Sequence, residues 1–408
     1  MFALAVRNLS RNRRRSVLTA SAIAFAVALM MFSASTKGGQ YDLMIANATR
    51  LLTGDAQVQA PGYREDPSPR LVVHNVAALQ RALSGLSGVV NVRARAEAFA
   101  LVSVDERGFG AQIIAVEPDA ERANSSLPGL VSTGRYLASD TAEEAVIGSA
   151  LAHNLGAQLG SQLVILGTGR EGSVAALVVT VVGTIDSGVI ELDRALVQVP
   201  LKVFQSAFEF GDSASTLVVQ TRTQAEALSL EPAMRATAHA HSPGAVVLAW
   251  PALIPDVLQS IEFSARAQNL FYALLAVIVV FSIANTFVMT VFERTREFGM
   301  LLALGMRPLQ LQWLVQLEAL VLCIAGVLAG FTIGLLLVLL LMHFGIPMPE
   351  RTAAMMKRFN LPNRIYPALS AGALLFPALA MLVGTQLAAL LPTLRLRRLQ
   401  PVAAMRGD

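Results

Sequence analysis

The 408-residue chain is 54% hydrophobic and only 15% charged, with a positive mean hydropathy, which excludes an ordinary soluble protein and points to membrane spans. Its net charge of +4 is modest and much of the basic excess sits beside apolar runs, so it reads as an orientation signal and not as a nucleic-acid surface. The one cysteine, Cys323, lies in an apolar run, which rules out an intrachain disulfide and leaves packing as its expected role.

Residues 1–15 carry Arg7, Arg11, Arg13, Arg14 and Arg15 and no acid. Phe2, Leu4, Ala5 and Leu9 can line one side of a short amphipathic helix lying along the membrane surface. The run 16–36 has 21 residues without a charge, about 32 Å as a helix, enough to cross the hydrocarbon core. Ser33-Ala34-Ser35 resembles a signal-cleavage site, but the apolar run is longer than the roughly 7 to 15 residues of a signal core, so a retained first span is expected. The basic stretch holds the N-terminus in the cytoplasm.

From 37 to 266 the hydropathy falls and globular patterning takes over. Strand-like alternation is expected at 55–60, 89–104, 110–116, 162–166, 174–185, 217–221 and 245–250. Helical spacing marks 75–86, with Asn75 as its cap, and also 200–208 and 224–239; the run 144–155 is mixed. The pattern predicts an α+β domain of one or two subdomains, inserted between the first and second spans.

The second span is expected at 267–292, 26 residues without a charge, and the third at 319–342, 24 residues without one. Gly326, Gly330 and Gly334 recur every four residues in the third, a spacing that permits close helix contact in lipid. A short loop at 343–364 leads to a fourth span at 365–394, interrupted by Pro377, and a basic tail at 395–408. With the N-terminus inside, 37–266 and the short loop lie outside, and 293–318 and the tail inside. Five Lys and Arg at the N-terminus, three in 293–318 and four in the tail outweigh Arg351, Lys357, Arg358 and Arg364 of the outer loop. The expected fold class is therefore an α-helical membrane protein with four transmembrane helices and a large α+β extracytoplasmic domain between helices 1 and 2.

The segment between the second and third spans opens with alternating charges, ERTREFGMLLALGMRP over 293–308. Glu293 and Glu297 stand at i and i+4, Arg296 three residues after Glu293, and Glu297 three after Arg294, which predicts a short helix with paired charges in its first turn. Met300, Leu301 and Leu304 continue that side, Gly305 is placed to end the helix in a left-handed conformation, and Pro308 cannot continue it. Composition alone is equally met by a charged loop with no partner.

Catalytic signatures are missing from the sequence. There is no G-x-x-x-x-G-K-[ST], and 167–173, GTGREGS, lacks the lysine and reads as a turn between strands. His74, His153, His239, His241 and His343 have no zinc-ligand spacing, and His239-x-His241 reads as an exposed loop pair. No nucleophile elbow occurs, and Glu143, Glu144, Asp186, Glu191 and Asp193 read as solvated loop acids. The four expected spans hold no acidic or basic residue, which argues against ion-coupled transport.

The run ERTREFGMLLALGM resembles the segment between the second and third membrane helices of the FtsX/MacB/LolC-type ABC permeases. LAVRNLSRNRRRSVLTASAIAFAVAL is similar to that family's entry helix and first span, and LRLRRLQPVAAMRGD to its C-terminal signature. GDAQVQAPGYREDP and GTIDSGVIELDRALVQVPL resemble the extracytoplasmic domain of its lipoprotein-releasing and MacB-type members. The resemblance implies a multi-pass protein of the bacterial inner membrane with no enzymatic site of its own. Glu293, Arg294, Glu297, Met300, Leu301, Leu304 and Gly305 would form the coupling helix that docks on a cytoplasmic ATPase, and ATP and Mg would sit on that partner, with no cofactor on this chain. It further implies a second permease copy or a related chain, contact with membrane lipids, and a lipoprotein cargo or periplasmic partner. Lipoprotein release is the first expectation. The alternatives are MacB-like efflux from the periplasm and FtsX-like activation of a cell-wall hydrolase, whose members have a much smaller outer domain.

Overall fold

The computed structural model describes residues 7–8, 11, 13–350, 352–353 and 363–396. The amphipathic entry residues Phe2, Leu4, Ala5 and Leu9, the loop cations Arg351, Lys357 and Arg358, and the tail beyond 396 lie outside the described residues. The chain divides into two compact units, one of Met1–Asp42, Ile261–Pro347 and Arg364–Asp408, the other of Leu43–Ser260 and Met348–Asn363.

The first unit is built from α1 (Arg13–Ala48), α2 (Pro255–Glu293), the short α3 (Thr295–Ala303), α4 (Pro308–Phe344) and α5 (Ala371–Leu396). Four of these are long and apolar enough to cross a membrane. They outrun the uncharged segments of the sequence because charged residues just past the hydrocarbon are tolerated inside a helix. Thus α1 continues through Lys37 and Asp42 into a single π-turn, Thr49–Thr53, closed by Gly54 at φ +70°. By the same logic α2 starts at Pro255. On the other side α5 starts only at Ala371, because Arg364–Ile365 pairs with Ile346–Pro347 as a two-stranded ribbon. It then runs without a break through Pro377.

The three glycines of α4 face α1. A Cβ at Gly326 would stand 2.8 Å from Ile23 Cβ, one at Gly330 2.5 Å from Ala24 O, and one at Gly334 3.1 Å from Ala28 Cα. The two backbones therefore approach as only small residues allow, and Ile23, Val27 and Met31 of α1 are fully buried along the seam. These side chains join Ile283, Phe287 and Val291 of α2, Leu311, Leu322 and Cys323 of α4, and Met381 and Ala389 of α5 in one apolar core. Cys323 thus packs, as its surroundings in the sequence suggest. At its other end α1 is fastened again. The Ala368 N–H donates to Ser35 O at 2.8 Å, and Gly39 leaves a notch in which a Cβ would lie 1.9 Å from Tyr366 O.

The second unit is α+β. Its strands are β1 (Ala56–Gln59), β2 (Val73–His74), β3 (Val89–Val104), β4 (Arg107–Val116), β5 (Val131–Gly134), β6 (Glu144–Gly148), β7 (Gln162–Thr168), β8 (Val174–Ile185), β9 (Leu196–Pro200), β10 (Ser213–Ala214), β11 (Thr216–Thr221) and β12 (Val246–Ala249). The main sheet runs β12-β1-β11-β3-β4-β9-β6-β8-β5, with β7 antiparallel to both β3 and β8, and β2 pairs with β10 apart from it. Two pairings, β4 with β9 and β6 with β8, are parallel. The segment 167–173 is the end of β7 followed by its turn to β8 at 169–173, closed by a bond from Gly169 N–H to Ser173 O at 2.9 Å. The 144–155 run resolves into β6 followed by the helix Ser149–Leu155.

Along β3, Val92, Ala94, Ala96, Ala98, Ala100 and Val102 enter the main core with Leu79, Leu83, Phe204 and Phe208. The alternate positions Arg93 and Arg95 are also buried, beneath the helix Pro118–Asn124. Glu121 from that helix pairs with both, its Oε2 lying 3.1 Å from Arg93 Nε. Two expectations are corrected here. Asn75 precedes the helix Val76–Ser84 in a left-handed conformation and does not cap it; its Nδ2 donates to His241 O at 3.2 Å instead. β12 ends at Ala249, because Trp250 opens the helical turn Trp250–Leu253.

Candidate functional site

The chain leaves α2 at Arg294, whose φ −100°, ψ 10° breaks the helix before α3 begins at Thr295. Glu293 accordingly closes α2, a correction to the expected first turn, while Glu297 does lie in the first turn of α3. The end of α3 follows the sequence expectation. Gly305 takes φ +92°, its N–H donates to Leu302 O at 3.1 Å, and the Met306 N–H reaches Leu301 O at 3.1 Å. That pair of bonds is a Schellman stop, and Pro308 then starts α4.

Arg294 is the centre of the elbow. Its Nε donates to Glu297 Oε2 at 3.0 Å, and its Nη1 reaches both oxygens of Glu318, three turns into α4, at 3.0 and 3.2 Å. The guanidinium also lies over the Phe298 ring, 5.0 Å from its centroid. The Arg294 and Glu318 side chains are 11% and 5% exposed. Removing either partner of such a buried pair costs about 3–5 kcal/mol, because the other charge is stranded. Burial alone would lower the Arg294 pKa, but Glu318 and Glu297 outweigh it and hold it above its ordinary value. The hydrogen bond from Arg294, helped by Arg11, holds the Glu297 carboxyl below the usual range against the effect of burial.

Three residues of the N-terminal segment complete the arrangement. Asn8 Nδ2 donates to Glu318 Oε1 at 2.6 Å, Arg11 pairs with Glu297, and Arg15 Nη1 donates to Glu293 Oε2 at 2.6 Å. A cavity of about 40 Å³ lies among Asn8, Arg15, Arg294 and Glu318 on one side and Phe287 and Leu322 on the other. It has room for water and none for a cargo molecule.

The apolar side of α3 divides in two. Leu301, Leu302 and Met306 turn inward onto the helix bundle, so Leu301 leaves the outward face assigned to it from spacing. Met300 and Leu304 stay on the outside, 48% and 85% exposed, and Leu309 and Trp313 of α4 are exposed as well. Among the described residues the elbow thus presents an exposed apolar surface on a helix tied to the bundle by ion pairs.

Glu293, Arg294, Glu297, Met300, Leu304 and Gly305 fall within one turn region, joined there by Glu318 and the N-terminal partners, which the spacing of that segment does not point to. One signal was available. Glu318 is the sole formal charge between 308 and 344 in an otherwise apolar run, and an acid there is costly unless it is paired.

The 269–401 region matches the family model of the FtsX-like permease C-terminal region, and 16–237, more than half of the chain, matches that of the MacB-like periplasmic core domain. The chain belongs to the FtsX/MacB permease family. Among curated relatives, the lipoprotein-releasing system transmembrane protein LolC of Neisseria meningitidis is 23% identical over 238 residues, 56% of each chain. The macrolide export ATP-binding/permease protein MacB of Escherichia coli K12 is 34% identical over 92 residues, 22% of this chain and 14% of that one. The chain therefore spans little more than half of the first relative and a small part of the second. Among solved structures, the periplasmic region of MacB from Actinobacillus actinomycetemcomitans aligns at a TM-score of 0.38 and 14% identity, over 52% of this chain and 94% of that one. The extracellular domain of the ABC-type transporter YknZ from Gram-positive bacteria aligns at 0.36 and 16%, over 47% and 98%. As in this permease family, the large α+β domain is inserted between the first and second apolar helices.

Proposed function

We propose that this permease is the membrane subunit of an ABC system of the bacterial inner membrane, and that it couples ATP hydrolysis on a separate cytoplasmic ATPase to work done outside the membrane. The observation that carries this reading is the elbow. Met300 and Leu304 form an exposed apolar face, and the helix bearing them is locked to the bundle through Arg294 and Glu318. Apolar anchors of this kind dominate binding when they fill a groove on a partner, while rim charges such as Arg296 contribute less. Nucleotide-driven movement of the ATPase would displace α3, and the long helices α1 and α2 would carry the displacement outward. ATP and Mg belong to the partner, since this sequence has no phosphate-cradling lysine loop. A second permease copy, or a related chain, completes the assembly.

For the work itself we favour extraction of lipoproteins from the membrane, in line with the LolC relative and with four spans around one large insertion. MacB-like efflux is the second reading, favoured by the MacB-type core at 16–237. Purification with the co-expressed ATPase, followed by mass spectrometry of bound molecules, tests both. Acylated lipoprotein that leaves on ATP addition supports release. A soluble periplasmic ligand without lipoprotein supports efflux, and a chain that retains no ATPase refutes the coupling role.

A further inference from the structure

Each acid of the elbow is met by a residue of the N-terminal segment. Arg15 holds Glu293 at the end of α2, Arg11 holds Glu297 in α3, and Asn8 holds Glu318 in α4. Positions 8, 11 and 15 are spaced by three and four, which puts them on one side of a helix. They meet three successive elements in reverse order along that side, Glu318 first and Glu293 last. Arg294 sits behind two of the three contacts and joins Glu297 to Glu318. The basic N-terminus is therefore more than an orientation signal, since two of its arginines are spent on specific carboxylates and the same stretch continues directly into α1.

We propose that these three contacts form a latch that stays closed while the protein works, so that the N-terminal segment, α3 and the base of α4 move as one body. This rests on the coupling role above and deepens it. A pull on α3 then enters α1 through the segment joined to it as well as along α2, from which α3 is set off by the break at Arg294 and to which it is tied by Thr295 Oγ1 donating to Val291 O at 2.9 Å. The two arginine contacts are exposed, with side-chain accessibilities of 63% and 38% for Arg11 and Glu297 and 33% and 51% for Arg15 and Glu293. Each is weak alone, and the latch depends on their acting together with the buried Glu318 contact.

The test uses the full chain with its co-purified ATPase, in a Cys323→Ala background. Arg11→Cys with Glu297→Cys, and separately Arg15→Cys with Glu293→Cys, break one contact each and can be rejoined with a short bis-methanethiosulfonate crosslinker. The readout is the change that ATP produces in hydrogen exchange over residues 43–260, with exchange in the absence of ATP as a folding control. Before crosslinking, the ATP-induced change, compared at equal bound ATPase, should fall by about 1.5- to 5-fold, the range for one exposed pair. Crosslinking should restore it. The latch is refuted if the unlinked variants respond to ATP like the parent. It is equally refuted if the linked variants keep the ATPase but stay unresponsive, since the contacts would then have to open. If the parent itself retains no ATPase, the coupling role fails and not the latch alone.

Discussion

The seam between α1 and α4 yields a prediction whose size follows from the geometry. In Gly330→Ala the new methyl would lie 2.5 Å from Ala24 O and 2.8 Å from Ala24 Cα, both backbone atoms that cannot swing aside. The helices must separate by about 1 Å to restore ordinary contact, a gap that forfeits a quarter to a half of each van der Waals attraction along the seam. Ile23, Val27 and Met31 all lose part of their packing, so a cost of about 1–3 kcal/mol is expected, and more for Gly330→Val. Cys323, one turn before Gly326 and fully buried in the same core, is a built-in reporter. A fluorogenic maleimide should label it in detergent only as the bundle opens. The labelling midpoint should drop for Gly330→Ala at about 2–4 °C per kcal/mol. Gly372→Ala, with nothing within 4 Å of the new atom, is the control and should leave the midpoint in place. If Gly330→Val protects Cys323 as well as the parent does, α1 and α4 do not meet at this glycine and the packing argument is wrong.

Leu304 is exposed and Leu301 packs on the bundle, so the same change should act differently at each. Leu304→Asp should reduce ATPase co-purification tenfold or more, roughly the loss for a charge forced into an apolar groove, with unchanged Cys323 protection. Leu301→Asp should lower that protection directly. For topology, cysteines at Ser125 and Met306 should give opposite results with a membrane-impermeant reagent in spheroplasts, Ser125 labelled and Met306 not; labelling of both would overturn the four-span arrangement. In the α+β domain, burial raises the pKa of Glu121, but Arg95 and Arg93 outweigh it and hold it below its ordinary value. A depressed carboxylate stabilises the fold above its unfolded pKa of about 4.3 and loses that contribution as the pH falls through the folded value. Glu121→Gln should cost about 3–5 kcal/mol at neutral pH and flatten the acid limb of a stability–pH curve. Burial raises Glu97 and Glu117, which titrate in the opposite sense. The difference between parent and variant therefore reports Glu121 together with its repulsion of Glu117, and parallel acid limbs would show that the pairing with Arg93 and Arg95 is not what sets Glu121.

Local signals in the sequence were enough for the spans, for the stop at Gly305 and for most strands, because apolar run length, left-handed glycine and period-two alternation act within a few residues. What escaped depended on distant partners. Glu318 reads as the flank of a span until Arg294, 24 residues earlier, and Asn8, 310 residues earlier, are placed against it. VRARAEA in β3 reads as a strand with one wet face, yet Arg93 and Arg95 are covered by a helix whose Glu121 could not be matched to them from spacing. Leu301 was put on the outer face because its spacing from Glu297 fits either side of the boundary between stripes. Only the bundle beneath decides which way it turns.

The notch at Gly39 gives α1 a mechanical character that its apolar sequence does not suggest. Ile23, Val27, Met31, Ser35 and Gly39 follow one another at four-residue steps, the lower three against α4 and the upper two against the strap at 366–368. Each four-residue step advances the contact by about 40°, so the five positions wind roughly 160° around α1, and a rod gripped along such a winding ridge can lean but cannot spin. Torque applied at its base is resisted at once, while thrust passes through. The register of that ridge is fixed by helix geometry, so one residue inserted between Met31 and Ser35 would turn the upper part by about 100° and carry Gly39 away from Tyr366. Such a protein would keep both hydrophobic halves of the helix and still lose the key that stops it turning.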